Sequence, residues 1–306
     1  ESLEKERTIR KQESRQSYIF ALLAVFFWST IPTAFKICLG ELGIVPMLTL
    51  ASVTSALALL AILVSEGKTV LIAESTRKEL LNSALLGFIN PFIYYLVLLK
   101  AYSLLPAQVA QPLNMIWPII LVFLSVPLLG QKIRKKSFIA LLISFAGVYI
   151  ISSQGNPFHP GRSDLKGVLL ATGSSVLWAL YFIFNVKDKR EEAVKLFLNF
   201  AFGSLYLIIL LIVTEYPLAG KYGLKGIAAA LYIGLFEMGI TFYLWLRALK
   251  TTETIAGISN LVYLAPFLSL VFVHFVLHEP LYYTTPAGLL FIISGIWYQN
   301  HKSSGI

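Results

Sequence analysis

Apolar runs long enough to cross a bilayer follow one another along almost the whole chain, and few folds are open to such a pattern. A spanning helix needs about 20 predominantly apolar residues, because each residue advances it only ~1.5 Å. Ten such runs can be read: 17–38, 43–65, 79–101, 106–129, 136–153, 166–186, 194–214, 224–247, 254–277 and 283–299. Breaks rich in turn-forming or charged residues separate them, among them GQKIRKK, SSQGNPFHPGRSDLK and KDKREEAVK. Of the 306 residues, 57% are hydrophobic and 13% charged, whereas soluble domains carry about 25% charged residues. The predicted fold class is therefore an all-α membrane protein with ten transmembrane helices. The breaks are too short to hold a domain, so function has to reside inside the bundle. The one cysteine, Cys38, excludes an intramolecular disulfide.

The positive charge has an orientation written into it. With the N-terminus inside, the inward segments hold 19 Lys and Arg and the outward ones five, namely Lys100, Arg162, Lys166, Lys221 and Lys225. Cytoplasmic loops carry the excess of Lys and Arg. Both termini are thus expected in the cytoplasm, with the chain in a bacterial inner (plasma) membrane. Because the basic residues sit in short clusters between apolar runs, the net charge of +9 points to membrane topology and not to nucleic acid.

The two halves of the sequence repeat. At a shift of 147, Gly87 meets Gly234, Asn90 meets Glu237 and Lys100 meets Arg247. At 148, Gln111 meets Ser259, Pro118 meets Pro266, Gln131 meets Glu279 and Gly147 meets Gly295. Trp28 meets Trp178 at a shift of 150. Five helices per half is an odd number, so the second half inserts upside down relative to the first. Inverted-topology repeats of this kind characterise secondary transporters, with the site near the midplane at the repeat interface. The expected organisation is a charged cytoplasmic leader (1–16), a first repeat (17–153), an extracytoplasmic linker (154–165), a second repeat (166–299) and a cytoplasmic tail (300–306).

Four segments carry a family resemblance: FFWSTIPTAFK, VPLLGQKIRKKSFIALLISFAGVYI, SSVLWALYFIF and FVLHEPLYYTTPAGLLFIISGIWY. Each half has a Trp in its first helix, a Pro-containing fourth helix, a short break, and a fifth helix with an F-A-G or I-S-G ending. This order resembles the ten-helix EamA-domain branch of the drug/metabolite transporter superfamily over residues 17–299. The resemblance implies transport of amino acids, other small metabolites or phosphorylated sugars, with no enzymatic activity and no cofactor. The family usually places an acid after the fourth helix of each half. Glu279 fills that position in the second half, but Gln131 stands in the first, so one copy of this loop element is intact.

Polar residues at hydrocarbon depth are costly and face the bundle interior. Helix 6 carries Ser174, Trp178, Tyr181 and Asn185 at i, i+4, i+7 and i+11, one face of a helix. Helix 1 offers Trp28, Pro32 and Lys36, helix 3 Asn90 and Tyr94, helix 4 Gln108, Gln111 and Asn114. Helix 8 adds Glu237 and Thr241, and helix 9 Ser259, Asn260 and Tyr263. The candidate substrate-binding residues are Trp28, Lys36, Asn90, Tyr94, Gln111, Asn114, Trp178, Tyr181, Asn185, Glu237, Asn260 and Tyr263. Rings suit the apolar parts of a small amphipathic solute, amides and hydroxyls its polar ends. Bonds between neighbouring helices are the competing use of any one of these groups. Glu237 is the most interior acid, about 13 residues into its span and so roughly 20 Å deep. A carboxyl group placed there can hold a substrate ammonium in one state and a proton in another, which makes protons the candidate coupling ion. The competing use of this group is packing alone, as a protonated carboxyl hydrogen-bonded to a neighbouring helix, to Tyr94 or Asn90. Lys36, Lys100 and Arg247 favour an organic anion or phosphorylated metabolite as the alternative substrate, and a non-transporting sensor is a further alternative. His274 and His278 have a spacing that can place two imidazoles on one metal, but HFVLHE lacks a third ligand nearby and no metal is expected.

The orientation is open to direct test. In a Cys38-free background, single cysteines within 155–160 should react with an impermeant reagent from outside, and those within 188–192 from inside. The reverse pattern would reject the topology.

Overall fold

The computed structural model describes residues 2–130, 135–156, 158, 163–214, 223–251 and 261–300. Hydrocarbon offers a backbone no water to bond with, so each span closes its hydrogen bonds within itself as a helix. Helix α1 runs Ser2–Glu41 and joins the charged leader to the first span without a break. Helices α2 (Ile44–Ser65), α5 (Lys135–Ser152), α6 (Leu165–Lys187), α7 (Glu192–Val213) and α10 (Thr284–Asn300) are continuous. The other spans are built in pieces. Helix α3 comprises Arg77–Gly87, a kinked segment at Phe88–Ile93 and Tyr94–Leu104. Helix α4 is Ala107–Asn114 followed by Trp117–Leu129. Helix α8 joins Leu224–Ile233, a π turn at Gly234–Gly239 and Ile240–Thr251. Helix α9 is described over Leu261–Leu277, opening on one 3-10 turn. Among the described residues seven helices are long and apolar enough to span a membrane, and three shorter apolar helices complete the ten runs.

Local signals set several boundaries. Thr76 and Glu79 form a reciprocal capping box at the start of α3, Asp164 accepts from the Gly167 amide to start α6, and Glu191 caps α7. Gly130 ends α4 in the left-handed region at φ 66°, where the lack of a Cβ removes the steric penalty. The interior is more polar than the rim: Ser29, Ser52, Asn90, Gln108 and Asn199 are buried, while Leu22, Phe26, Ile209 and Phe275 are exposed. That distribution suits a protein whose solvent is lipid.

The packing has the symmetry the repeat requires. Helix α1 packs on α8 and α9, and its counterpart α6 packs on α3 and α4. The remaining helices pair across the halves, α2 with α7 and α5 with α10. Individual contacts obey the same exchange. A Cβ on Gly147 would lie 2.5 Å from the Gly288 carbonyl oxygen, and one on Gly295 2.8 Å from that of Ala140. Adding 148 to Gly147 and Ala140 gives Gly295 and Gly288, so these are two copies of one contact. Likewise Gly87 presses on the Asn199 carbonyl as Gly234 presses on that of Ala51. The molecule is an all-α membrane protein of ten helices in two inverted-topology five-helix repeats.

The α5–α10 seam depends on these close approaches. Gly147→Ala and Gly288→Ala should each lower stability by about 1–3 kcal/mol, the usual cost of overpacking, seen as a lower melting midpoint in detergent. Gly40→Ala is the control, since a Cβ there meets nothing within 4 Å. Equal midpoints for all three would show that the seam tolerates a methyl group.

Candidate functional site

Interruptions at equivalent places in the two halves carry Asn90 and Glu237. In α3 two helical pieces meet at a kink, where Asn90 leaves helical geometry. In α8 the interruption is a π turn, an element that concentrates at functional sites and adds one residue to the local repeat. There the Thr241 hydroxyl donates to the carbonyl of Phe236, five residues back. Asn90 itself has an extended conformation, φ −142° and ψ 119°, and precedes Pro91.

Glu237 is hydrogen-bonded to a neighbouring helix, but not by Tyr94 or Asn90: the Tyr95 hydroxyl of α3 donates to its Oε1 at 3.0 Å. The Trp28 indole N–H points at the Glu237 backbone oxygen from 3.4 Å. An aromatic wall extends from there. Phe242, five residues beyond Glu237, lies 5.7 Å from the Trp28 ring and 5.8 Å from that of Trp178. Tyr94 packs on Trp178 at 5.1 Å and on Tyr95 at 4.7 Å. The repeat-related tryptophans thus meet one shared ring, from α1 on one side and α6 on the other.

Two polar clusters flank this wall. In the first, Tyr94 donates to Asn114 Oδ1 at 3.3 Å and Asn114 Nδ2 donates to Ser174 Oγ at 2.7 Å. The second gathers Asn90, Asn185 and Asn199 around the Tyr181 hydroxyl, with Asn199 Nδ2 donating at 3.3 Å. The Oδ1 atoms of Asn90 and Asn199 are buried and have no hydrogen-bond partner among the described residues. The structure therefore brings Trp28, Tyr94, Asn114, Trp178 and Glu237 together, with Asn90, Tyr181 and Asn185 alongside. Sequence reading missed Tyr95, Phe242 and Asn199. Tyr95 and Phe242 follow interruptions that break the α-helical stripe, a kink in α3 and a π turn in α8, and Asn199 is a lone amide in an apolar run.

The other candidates lie apart. Lys36 Nζ donates to the Tyr102 carbonyl at 2.7 Å. Gln111 Oε1 accepts from Ser269, and Tyr263 is partly buried at the start of α9. Asn260, with Ser259 and Gln131, lies outside the described residues. The His274 ring pairs with the Glu279 carbonyl at 3.0 Å, and among the described residues no three His, Cys, Asp or Glu side chains are grouped to hold a metal.

An ion-pair network ties the halves together at the other end of the bundle from Glu279. Lys68 reaches Glu66 at 2.5 Å and Glu191 at 2.9 Å, and Tyr243 donates to Glu66. Hydrogen bonds from Lys68 and Tyr243 hold the Glu66 carboxyl below its usual range, and those with Glu66 and Glu191 raise Lys68. Partial burial works to raise Glu191, but Lys68 and the Val194 and Ala193 amides outweigh it and hold it low.

Comparison with known proteins places this arrangement. The EamA-like transporter family matches residues 15–153 and again 165–299. The chain is 26% identical over 298 residues to a protein described as an uncharacterized transporter of Clostridium kluyveri, covering 95% of each chain. It is 23% identical over 252 residues to the aromatic amino acid exporter YddG of Ancylobacter novellus, covering 82% of this chain and 85% of the exporter. A crystal structure of 19% identity superposes with a TM-score of 0.64 over 93% of this chain and 96% of that one, a likeness of fold. With the family matched in both halves of one ten-helix bundle, the chain belongs to the EamA-like transporter family and is an integral membrane transporter.

Proposed function

We propose that this transporter moves a small amphipathic metabolite, an amino acid or amino-acid-like compound, by alternating access, and that Glu237 is the group on which substrate and proton alternate. The observation that carries this is the setting of Glu237: a carboxyl group on α8 that accepts from the Tyr95 phenol, with the Trp28 indole at its backbone oxygen and Trp28 in turn part of the ring wall of Phe242, Trp178 and Tyr94. Desolvated carboxylates bind ammonium groups strongly, aromatic faces attract cations and cover apolar side chains, and amides such as Asn114 suit a polar end. The exporter relative, whose name specifies aromatic amino acids, supports the same substrate class. The anion alternative has less support, because Lys36 is engaged with the Tyr102 carbonyl. The proposal further sets the chain in a bacterial inner membrane with both termini cytoplasmic. Its repeats span 17–153 and 166–299, and the 154–165 linker lies outside.

Substrate class can be found by thermal shift in detergent across an amino-acid panel beginning with the aromatic ones. A ligand at 100 times its Kd raises apparent stability by about 2.7 kcal/mol. The best ligand is then carried into proteoliposomes. Glu237→Gln keeps shape and hydrogen bonding but cannot titrate, so the protein should fold while flux, or its dependence on pH, is lost. Unchanged flux between about pH 6 and 8 in the variant would leave Glu237 only a packing role.

A further inference from the structure

The cleft between the α1–α8–α9 group and the α3–α4–α6 group is bolted at one end. Glu279, in the α9–α10 connection, reaches across it to the first turn of α4: its Oε1 accepts from the Ala107 amide at 3.0 Å and its Oε2 from Gln108 Nε2 at 3.4 Å. Gln108 is itself buried and fully used. Its amide nitrogen also donates to the Pro280 carbonyl at 2.6 Å, and its oxygen accepts from the Tyr282 amide at 3.2 Å and from Thr285 Oγ1 at 3.3 Å. Farther in, Gln111 accepts from Ser269, again from one group to the other. The first segment of α4 packs on α1 and α9 as well as on α6, α5 and α10. The two groups thus touch along the Glu279 side of the cleft.

We propose that Glu279 and Gln108 form the gate at this end of the transport pathway, and that the conformation described is the one with this gate shut. Glu279 is a positioning residue: it caps α4 from the opposite half of the molecule and contacts no substrate. The first four amides of a helix lack partners within it, so a carboxylate that serves one of them ties that helix to wherever the carboxylate is anchored. Here the anchor is the partner group of helices. Opening requires the Ala107 amide and the Gln108 side chain to exchange Glu279 for water. The gate faces outward if the proposed topology holds, but which helices it joins does not depend on that topology.

The test uses the full-length protein in a Cys38→Ala background with Asn114→Cys as a reporter in the cleft. The side on which Glu279 lies is fixed separately by single cysteines in the loops, so an error of topology changes the side of labelling and not its dependence on Glu279. An impermeant maleimide applied from the Glu279 side should label the parent slowly. Glu279→Ala should raise that rate about tenfold, the population change expected when one cap is removed from a two-state equilibrium. Glu279→Gln, which keeps one acceptor for the Ala107 amide, should fall between. In the opposite direction, Gln108→Cys with Thr285→Cys, joined by a short bifunctional thiosulfonate before labelling, should suppress reaction at that side until a reductant is added. Monodisperse Glu279→Ala protein that labels at the parental rate would overturn the proposal. So would an equal rise from both sides, since it signals general loosening.

Discussion

The architecture of this molecule rests on the absence of water beside its backbone. A peptide group in hydrocarbon must find its partner within its own helix, which is why ten spans form and why their interruptions stand out. The interruptions at Asn90 and Glu237 occur where protein, not lipid, surrounds the chain, and they come as a pair because the halves are copies. In α3 the kink at Asn90 resets the helix ahead of Tyr95, which bonds Glu237, and in α8 a π turn precedes Phe242, which lies between the two tryptophans. The central aromatic wall is thus a product of backbone geometry as much as of side-chain choice.

Inversion of the second half supplies the remaining organisation. The glycine contacts of α5 with α10 and of α2 and α7 with α8 and α3 recur at the same shifts that relate the sequences. Close approach at these seams leaves two three-helix groups facing each other. All the candidate residues of the central cluster come from these groups, with Trp28 and Glu237 on one and Tyr94, Asn114 and Trp178 on the other.

Much of this is legible in the sequence, for physical reasons. Bilayer thickness turns hydropathy into a count of spans, and duplication turns matched Gly, Pro and Trp positions into a symmetry axis. The helix 6 stripe is readable because α6 is a continuous helix, so periodicity and structure agree along it. Tyr95 is not readable as the partner of Glu237: Pro91 signals a break in α3, but not how the backbone at Asn90 re-aims the residues that follow it. Glu279 stands out in the sequence as a family feature, but its grip on the α4 amide joins residues 172 positions apart, and no periodicity reports such a contact. Lys36 falls with the site by its place on the helix 1 stripe, whereas its bond to Tyr102 reflects a depth that spacing alone does not encode.

The unequal residues at the two helix interruptions bear on the balance between end states. In an inverted repeat, exchanging the conformations of the two halves converts one end state into the other, and perfectly matched halves would make those states equal in free energy. Here the position that is a carboxylic acid in one half is a carboxamide in the other. Under the alternating-access mechanism proposed above, a titratable group in one half only would weight the two end states unequally, so their populations need not match even though the halves are copies. The direction of net movement would still be set by the gradients across the membrane and not by that asymmetry.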